Sequence, residues 1–292
     1  MIDNSVFIHP EDEAALKTLQ TIPGVSYIFK KILEYGYEKM YYGENLASSI
    51  KLSPTQLPHI YRLLPPICEK LGIEEPEFYL QMNPMPNAYT FGDTYKFICI
   101  TSGLIEMATE DEITSVLAHE CGHIICRHSL YHTMAKLLLS KGSEDLSVDD
   151  TEAIILALMY WQRKSELSCD RVAAVVTSPN TVSRSMATFA GGPKSIIKNI
   201  NMEEWASQAD EYHKLYNDSN FWDRAIQLHN TLYLSHPFAA VRVREICEWG
   251  KTSQYDLAKS KLQTSKYKRC NNCGRSLKNE GNYCEFCGNK IY

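Results

Sequence analysis

Hydrophobic residues recur at helical spacing over most of this chain, with one interruption in its first half. There the spacing changes to short runs typical of strands, at Phe78–Gln81, Asn87–Phe91 and Tyr95–Thr101, with a turn at Gly92-Asp93 between the last two. The pattern therefore predicts an α+β, mostly helical fold that contains one small β-sheet. An exposed edge strand of such a sheet can pair with an extended peptide.

Two long helices follow the predicted sheet. The first starts at Thr109, which forms the pattern of a capping box with Glu112, and apolar residues such as Val116 recur at helical spacing after it. The second runs from about Asp149 to Val176 and is followed by a proline that marks its end. Both helices are long enough to carry a site in their middle.

The first of these helices contains the sequence His119-Glu120-x-x-His123. Residues four apart share a helix face, so both imidazoles can bind one metal ion while Glu120 holds a water molecule on it. This is the arrangement of zinc hydrolases, in which two nitrogen ligands accompany a general base. The alternative is a pair of histidines that bind nothing, and the helical context favours the metal site.

Glu166 and Asp170 lie four residues apart on the second helix and therefore share a face. Apolar neighbours such as Val172 indicate burial, and a buried carboxylate needs a partner or a metal ion. We therefore expect Glu166 to be the third zinc ligand and Asp170 to fix the tautomer of a liganding histidine. Without the histidine motif, an exposed acid pair beside Arg171 is the simpler interpretation.

The C-terminal segment has its own pattern, with two matched Cys-x-x-Cys-Gly units. Paired units of this kind predict a structural zinc ion bound by four thiolates, those of Cys270, Cys273, Cys284 and Cys287. A segment this short cannot bury a sufficient core, so the metal must hold it together. The chain is thus expected to bind two zinc ions, one catalytic and one structural. A redox role for these cysteines is the weaker alternative.

The charge and hydropathy of the chain limit the kinds of binding partner and the cellular compartment that we expect. The 292 residues carry a formal charge of −5, which makes nucleic acid an unlikely partner. From Lys259 onward the charge is +6, against −11 for the rest, so the tail is expected to dock on the acidic body or to recruit an acidic partner. No stretch approaches the ~18 apolar residues of a membrane span, and the first residues lack the pattern of a signal peptide. These observations predict a cytoplasmic protein with reduced cysteines.

Three segments together resemble the gluzincin family of HtpX-like heat-shock proteases and CAAX prenyl proteases. They are Ala118–His123, Glu166-x-x-x-Asp170 and Ser235-His236-Pro237 followed by Arg242, and the resemblance covers about residues 75–250. It implies a zincin-like fold, with zinc bound by His119, His123 and Glu166, Glu120 as base, and His236 and Arg242 near the tetrahedral intermediate. It also implies that Asn87, Ala88 and Tyr89 belong to a strand that binds substrate. The family's best-known members carry transmembrane helices, which this sequence does not show.

The predicted organisation is a helical region over residues 1–75, a zinc metallopeptidase core over 76–258 and a zinc ribbon over 266–292. The predicted activity is hydrolysis of bonds within a peptide or protein, by a zinc-bound water molecule that Glu120 deprotonates. Two alternatives stay open: a zinc-bound scaffold that binds peptides without cleaving them, and an adaptor that acts through the basic ribbon. An intact Glu120 argues against the scaffold. The ribbon lacks the dense basic stripe with stacked aromatic residues that nucleic-acid binding requires.

Overall fold

The computed structural model describes residues 2–34, 36–141, 151–218, 238–262, 268–277 and 281–291. The chain in these ranges is mainly helical, with one four-stranded sheet. The helices are α1 (Pro10–Thr21), α2 (Val25–Glu34), α3 (Tyr37–Ser48), α4 (Pro58–Tyr61), α5 (Leu64–Leu71), α6 (Ser102–Met107), α7 (Glu110–Ile125), α8 (Ser129–Lys141), α9 (Thr151–Val176), α10 (Pro179–Gly191), α11 (Lys194–Ile197), α12 (Met202–Asp218), α13 (Ala239–Trp249) and α14 (Ser253–Ser260). The strands are β1 (Ile50–Lys51), β2 (Glu77–Gln81), β3 (Ala88–Phe91) and β4 (Phe97–Thr101). The predicted α+β, mostly helical fold class is confirmed.

The sheet has the strand order β1-β2-β4-β3, so β3 is an edge strand. Strand β4 is buried along its whole length, runs parallel to β2 and pairs antiparallel with β3. In the hairpin, Ala88 lies opposite Ile100 and Phe91 lies opposite Phe97. The predicted hairpin is therefore present, its edge strand β3 contacts helix α7, and the exposure of that edge stays a prediction.

Helix α7 is almost completely buried between the sheet, α5, α9 and α10. Its first turn is the predicted capping box: the Glu112 amide donates to Thr109 Oγ1 at 3.3 Å, and the Thr109 amide donates to Glu112 Oε2 at 2.8 Å. This cap satisfies amides that a buried helix end would otherwise leave without partners.

Helices α7 and α9 approach each other closely at Gly122. A Cβ atom at this position would lie 2.9 Å from Cys169 Cα, closer than real Cβ atoms approach a neighbouring backbone. The absence of a side chain at Gly122 therefore sets the distance between the two helices. Because the predicted site residues lie on both helices, this contact also sets the spacing of the site.

Helix α1 packs against α9 within a second apolar cluster that contains Leu19 and Trp161. Polar contacts also cross this interface, among them one in which the indole of Trp161 donates to Asp12 Oδ1 at 2.8 Å. Both residues are buried. The N-terminal region is thus joined to the same helix that carries Glu166 and Asp170.

The C-terminal segment docks on helices α4 and α5. Arg275 donates two hydrogen bonds to Glu75, at 2.9 and 3.1 Å, and Ser276 donates to Glu69 at 2.6 Å. Arg269 lies 2.9 Å from the same Glu69 carboxylate. The basic tail therefore contacts acidic residues of the body, as expected if it docks there. Recruitment of an acidic partner stays a prediction.

None of the helices in the described ranges is both long and apolar enough to cross a membrane.

Candidate metallopeptidase active site

Three candidate metal ligands converge between helices α7 and α9. Glu166 Oε2 lies 3.3 Å from His119 Nε2, and Glu166 Oε1 lies 3.4 Å from His123 Nε2. All three side chains are buried. Ligands around a tetrahedral zinc ion with bonds of about 2.0–2.1 Å are separated by about 3.3 Å, so the two distances from the imidazoles to the carboxylate suit zinc.

Asp170 and Arg242 flank the three donors. Asp170 Oδ1 lies 3.0 Å from His119 Nδ1, the position expected for a residue that fixes the tautomer of this histidine. Arg242 donates from Nε and Nη2 to the two oxygens of Asp170, at 2.8 and 2.6 Å, and its Nη1 lies 3.1 Å from Glu166 Oε2. Its expected contact with the tetrahedral intermediate stays a prediction.

Formal charges at the site favour a divalent cation. The site contains three buried carboxylates, those of Glu120, Glu166 and Asp170, and one buried guanidinium, that of Arg242. With neutral imidazoles the set has a formal charge of −2, which is costly in a buried environment. A doubly charged ion balances it, so the residues fit zinc in charge as well as in spacing.

The neighbouring charges shift the pKa values of these groups in different directions. Burial opposes a charged His119, but Glu166 and Asp170 outweigh it and raise the pKa of His119 to about 10. At His123 burial prevails and lowers the pKa. Burial also opposes a charged Asp170, yet Arg242 and His119 hold the pKa of Asp170 below its ordinary value. The site thus favours cations and keeps Asp170 ionised.

Glu120 lies on α7 beside the convergent donors and contacts the edge strand. The Thr90 hydroxyl lies 2.7 Å from Glu120 Oε2, while Glu120 Oε1 is buried and has no hydrogen-bond partner among the described residues. One carboxylate oxygen is therefore held by β3 and the other is available to accept a proton. This geometry suits a general base.

The predicted substrate strand is β3 with the residue before it. The amide of Asn87 donates to Thr101 Oγ1, which ties the start of the strand to β4. Ala88 is buried, and Tyr89 is partly buried with its ring edge-on to Phe97. Substrate binding by these residues stays a prediction.

An apolar cavity opens beside His119 and Glu120. It is bounded by α7, α9, α10 and the start of α13, and its apolar lining comes from Val116, Ala173, Val182, Met186 and Phe189. Such a cavity can hold an apolar side chain next to the proposed metal position.

The four cysteines of the C-terminal segment form one cluster. Cys270 and Cys287 have sulfur atoms 3.7 Å apart, as do Cys273 and Cys284, and all four sulfur atoms lie within 4.8 Å of one another. Sulfur atoms around a tetrahedral zinc ion with bonds of about 2.3 Å are separated by about 3.8 Å. The cluster therefore fits the predicted four-thiolate site.

One predicted residue of the candidate site falls outside the described ranges, and other residues of the site were not predicted from the sequence. His236 falls outside the described residues. Thr90, His128 and Asp12 were not predicted, although each contacts a predicted residue directly or through one neighbour. His128 could have been suspected from its place five residues after His123, whereas nothing around Asp12 in the sequence points to the site.

The fold and the site together define a zincin-like metallopeptidase. The profile of Peptidase family M48 matches residues 55–250, which contain all of the described candidate ligands on α7 and α9. With two thirds of its length matched, the chain belongs to this metallopeptidase family.

Individual relatives agree with this assignment. The chain is 35% identical over 259 residues to plastoglobule-localized metallopeptidase 48, chloroplastic, of Arabidopsis thaliana, covering 87% of this chain and 75% of that protein. It is 32% identical over 99 residues to protease HtpX of Legionella pneumophila, and 39% identical over 67 residues to protease HtpX homolog 1 of Sulfurisphaera tokodaii. The match covers 33% of this chain and 32% of the first HtpX protein, and 22% of each chain for the second.

Proposed function

We propose that this protein is a zinc-dependent endopeptidase whose hydrolytic zinc is bound by His119, His123 and Glu166. The observation that carries the proposal is that the Glu166 carboxylate lies 3.3 Å from His119 Nε2 and 3.4 Å from His123 Nε2, next to a buried Glu120 oxygen that has no partner among the described residues. Membership of family M48 supports the same chemistry.

The zinc ion supplies Lewis-acid polarisation of a water molecule and of the substrate carbonyl. Glu120 takes a proton from the attacking water and delivers it to the departing amine nitrogen. Thr90 keeps the Glu120 carboxylate oriented through Oε2, and Asp170 and Arg242 hold the ligands in place. His236 and Arg242 remain the proposed groups near the oxyanion.

The edge strand supports cleavage inside an extended chain rather than at a terminus. Backbone groups of β3 are available to pair with a peptide on either side of the scissile bond. The apolar cavity that Met186 and Phe189 help to line is proposed to hold the substrate side chain adjacent to that bond. We therefore expect cleavage next to apolar residues in unfolded or extended proteins.

The remaining parts are proposed to have structural roles. Residues 76–258 form the metallopeptidase core, residues 1–75 form a helical region packed on it, and residues 266–292 form a ribbon held by a second zinc ion. The ribbon contacts α4 and α5, and none of its described residues lines the cleft beside His119. A stabilising role for the ribbon is therefore favoured over a role in covering the cleft.

Metal analysis combined with the variant Glu120→Gln tests the proposal. The purified protein should contain about two zinc ions per chain, and the variant should keep both because Glu120 is not a ligand. Its turnover of an unfolded protein substrate should fall by about 10²–10⁴-fold, the usual contribution of a general base. Wild-type protein that holds zinc at both sites but cleaves nothing in a broad peptide library would favour the scaffold alternative.

A further inference from the structure

Behind the zinc ligand His123 lies a buried row of polar side chains. His123 Nδ1 is 3.3 Å from His128 Nδ1, and His128 Nε2 is 3.1 Å from Asp12 Oδ2. His128 is 2% exposed and Asp12 is 1% exposed, so water does not compete for these contacts. The row connects the catalytic helix α7 to the N-terminal helix α1.

The direction of the hydrogen bonds follows from the position of His123. Its Nε2 faces Glu166 and is the nitrogen proposed to bind zinc, so Nδ1 carries the proton and donates a hydrogen bond to His128 Nδ1. His128 is then protonated on Nε2 and donates to Asp12. Each nitrogen along the row thus acts either as a donor or as an acceptor, and each has a partner.

Asp12 is built to remain an anion at the end of this row. It accepts hydrogen bonds from the Trp161 indole at 2.8 Å and from the Ser168 hydroxyl, in addition to that from His128. Burial opposes its charge, but the donors, with His128 first among them, hold the pKa of Asp12 below its ordinary value. A buried carboxylate with this many donors is fixed in position as well as in charge.

We propose that His128 and Asp12 are positioning residues for His123, forming a relay that fixes its tautomer and ring orientation and increases its basicity toward zinc. The inference rests on the proposed function, since it takes His123 to be a zinc ligand. It gives each liganding histidine a carboxylate: Asp170 contacts His119 directly, and Asp12 acts on His123 through His128. Asp12 lies outside residues 55–250, so this support comes from a part of the chain that the family profile does not cover.

The same cluster contains atoms that a second metal ion could bind. Cys169 Sγ lies 3.3 Å from His123 Nδ1 and 3.5 Å from His128 Nδ1, and the His132 ring lies 4.6 Å from that of His123. An ion at this point would need His123 to bind metal through both nitrogens, as an imidazolate. The relay requires only neutral imidazoles, so the contacts favour the relay over a second metal ion.

The test compares zinc affinity among single variants of the full chain. Asp12→Asn and His128→Leu should weaken the hydrolytic zinc site by about 10–100-fold in competition with a chelator, the usual effect of losing such a partner. His128→Gln keeps an acceptor for His123 and a donor for Asp12, so it should recover most of the affinity. The control is His132→Leu, which makes the same change in a neighbouring histidine outside the relay and should leave the affinity close to that of the wild type.

Further readouts separate positioning from loss of folding. The four-thiolate zinc ion should stay bound in every variant, and a cooperative urea unfolding transition should show that each variant is folded. Cobalt substituted at the hydrolytic site should change its visible absorption in Asp12→Asn and His128→Leu but not in His132→Leu. If Asp12→Asn does not fold, the comparison of His128→Leu with His128→Gln decides the matter.

Several results would overturn the inference. Unchanged hydrolytic zinc affinity in His128→Leu would exclude the relay. A third zinc ion in the wild type that is lost in both His128→Leu and His132→Leu would make the cluster a metal site instead. A wild-type chain without zinc at the hydrolytic site would refute the proposed function itself, which is a distinguishable outcome because it appears before any variant is made.

Discussion

Thr90 and Glu120 are joined by a hydrogen bond of 2.7 Å from the Thr90 hydroxyl to Oε2, and the same hydroxyl lies 3.0 Å from the Glu120 carbonyl oxygen. Thr90 belongs to the edge strand β3, whereas Glu120 belongs to helix α7. The contact therefore sets the position of the proposed base relative to the strand that is proposed to hold the peptide.

Replacing Thr90 by valine tests this link. The substitution keeps the β-branched shape and replaces the hydroxyl with a methyl group. We expect kcat to fall by about 10–100-fold, because hydrogen bonds to charged groups contribute about 1.5–3 kcal/mol. Steady-state kinetics should show little change in KM and metal analysis should show no loss of zinc. Thr90→Ser restores the hydroxyl and should restore most of the rate, and equal losses in both variants would contradict a role for the hydrogen bond.

Gly122→Ala is predicted to separate helices α7 and α9. The added Cβ would lie 2.9 Å from Cys169 Cα, so the backbone of α9 must shift and Glu166 must shift with it. We expect a loss of about 1–3 kcal/mol in the free energy of unfolding, as is typical of overpacking, and weaker zinc binding. Urea unfolding and chelator competition measure the two effects.

Gly43→Ala is the matched control for that experiment. Gly43 lies in helix α3, and a Cβ atom there meets nothing within 4 Å. The control should be neutral or stabilise the protein by up to about 1 kcal/mol, because alanine favours helix more than glycine does. If both variants lose stability equally, the close approach at Gly122 is not the cause.

Arg242→Gln is predicted to destabilise the protein in a pH-dependent way. The arginine holds the pKa of Asp170 below its ordinary value of 3.8, so the pair stabilises the folded state at neutral pH. Breaking a buried ion pair costs about 3–5 kcal/mol. Because a carboxylate with a depressed pKa loses its contribution as the pH falls through that pKa, the difference from wild type should shrink below about pH 4.

Urea titrations over a pH series measure this difference. In a double-mutant cycle, the variant with both Arg242→Gln and Asp170→Asn should lose much less stability than the sum of the losses in the two single variants. The reason is that neither charge is then left buried without the other. A difference in stability that is the same at pH 7 and pH 3 would exclude the assigned cause.

A chain that ends at Leu262 is predicted to fold without the ribbon but with lower stability. Helix α14 stays complete, and water can replace the lost partners of Glu69 and Glu75. The apolar surface that Cys270, Cys273 and Cys284 cover becomes exposed, which lowers the stability. We expect a lower Tm in calorimetry, one zinc ion in place of two, and unchanged turnover of a short peptide. A folded truncated chain that has lost its hydrolytic zinc would contradict two separate sites.

Local patterns in the sequence were sufficient to predict much of this structure. The strands near residues 78–101, the cap at Thr109 and the long helix ending at Val176 all depend on neighbouring residues, and all three predictions are confirmed. The burial of Glu166 and Asp170 followed from their apolar neighbours and from the cost of burying a charge.

Contacts between distant segments were not predictable in the same way. The pairing of Asp12 with His128 spans more than a hundred residues, and neither residue has a local pattern that points to the other. The partners of Arg242 were also unexpected, because spacing along one helix does not show that its guanidinium binds carboxylates on another. The difference in net charge between the tail and the body predicted only that the two could dock. It did not predict that Arg275 binds Glu75.

The distance of 72 residues between Asp170 and Arg242 has a consequence for the order of folding. Ribosomes release a chain from its N-terminus, so α7 and α9 emerge well before α13. Until Arg242 arrives, packing these two helices together would bury the carboxylates of Glu166 and Asp170 without their guanidinium partner. We therefore expect the enzyme to become active only after α13 has left the ribosome.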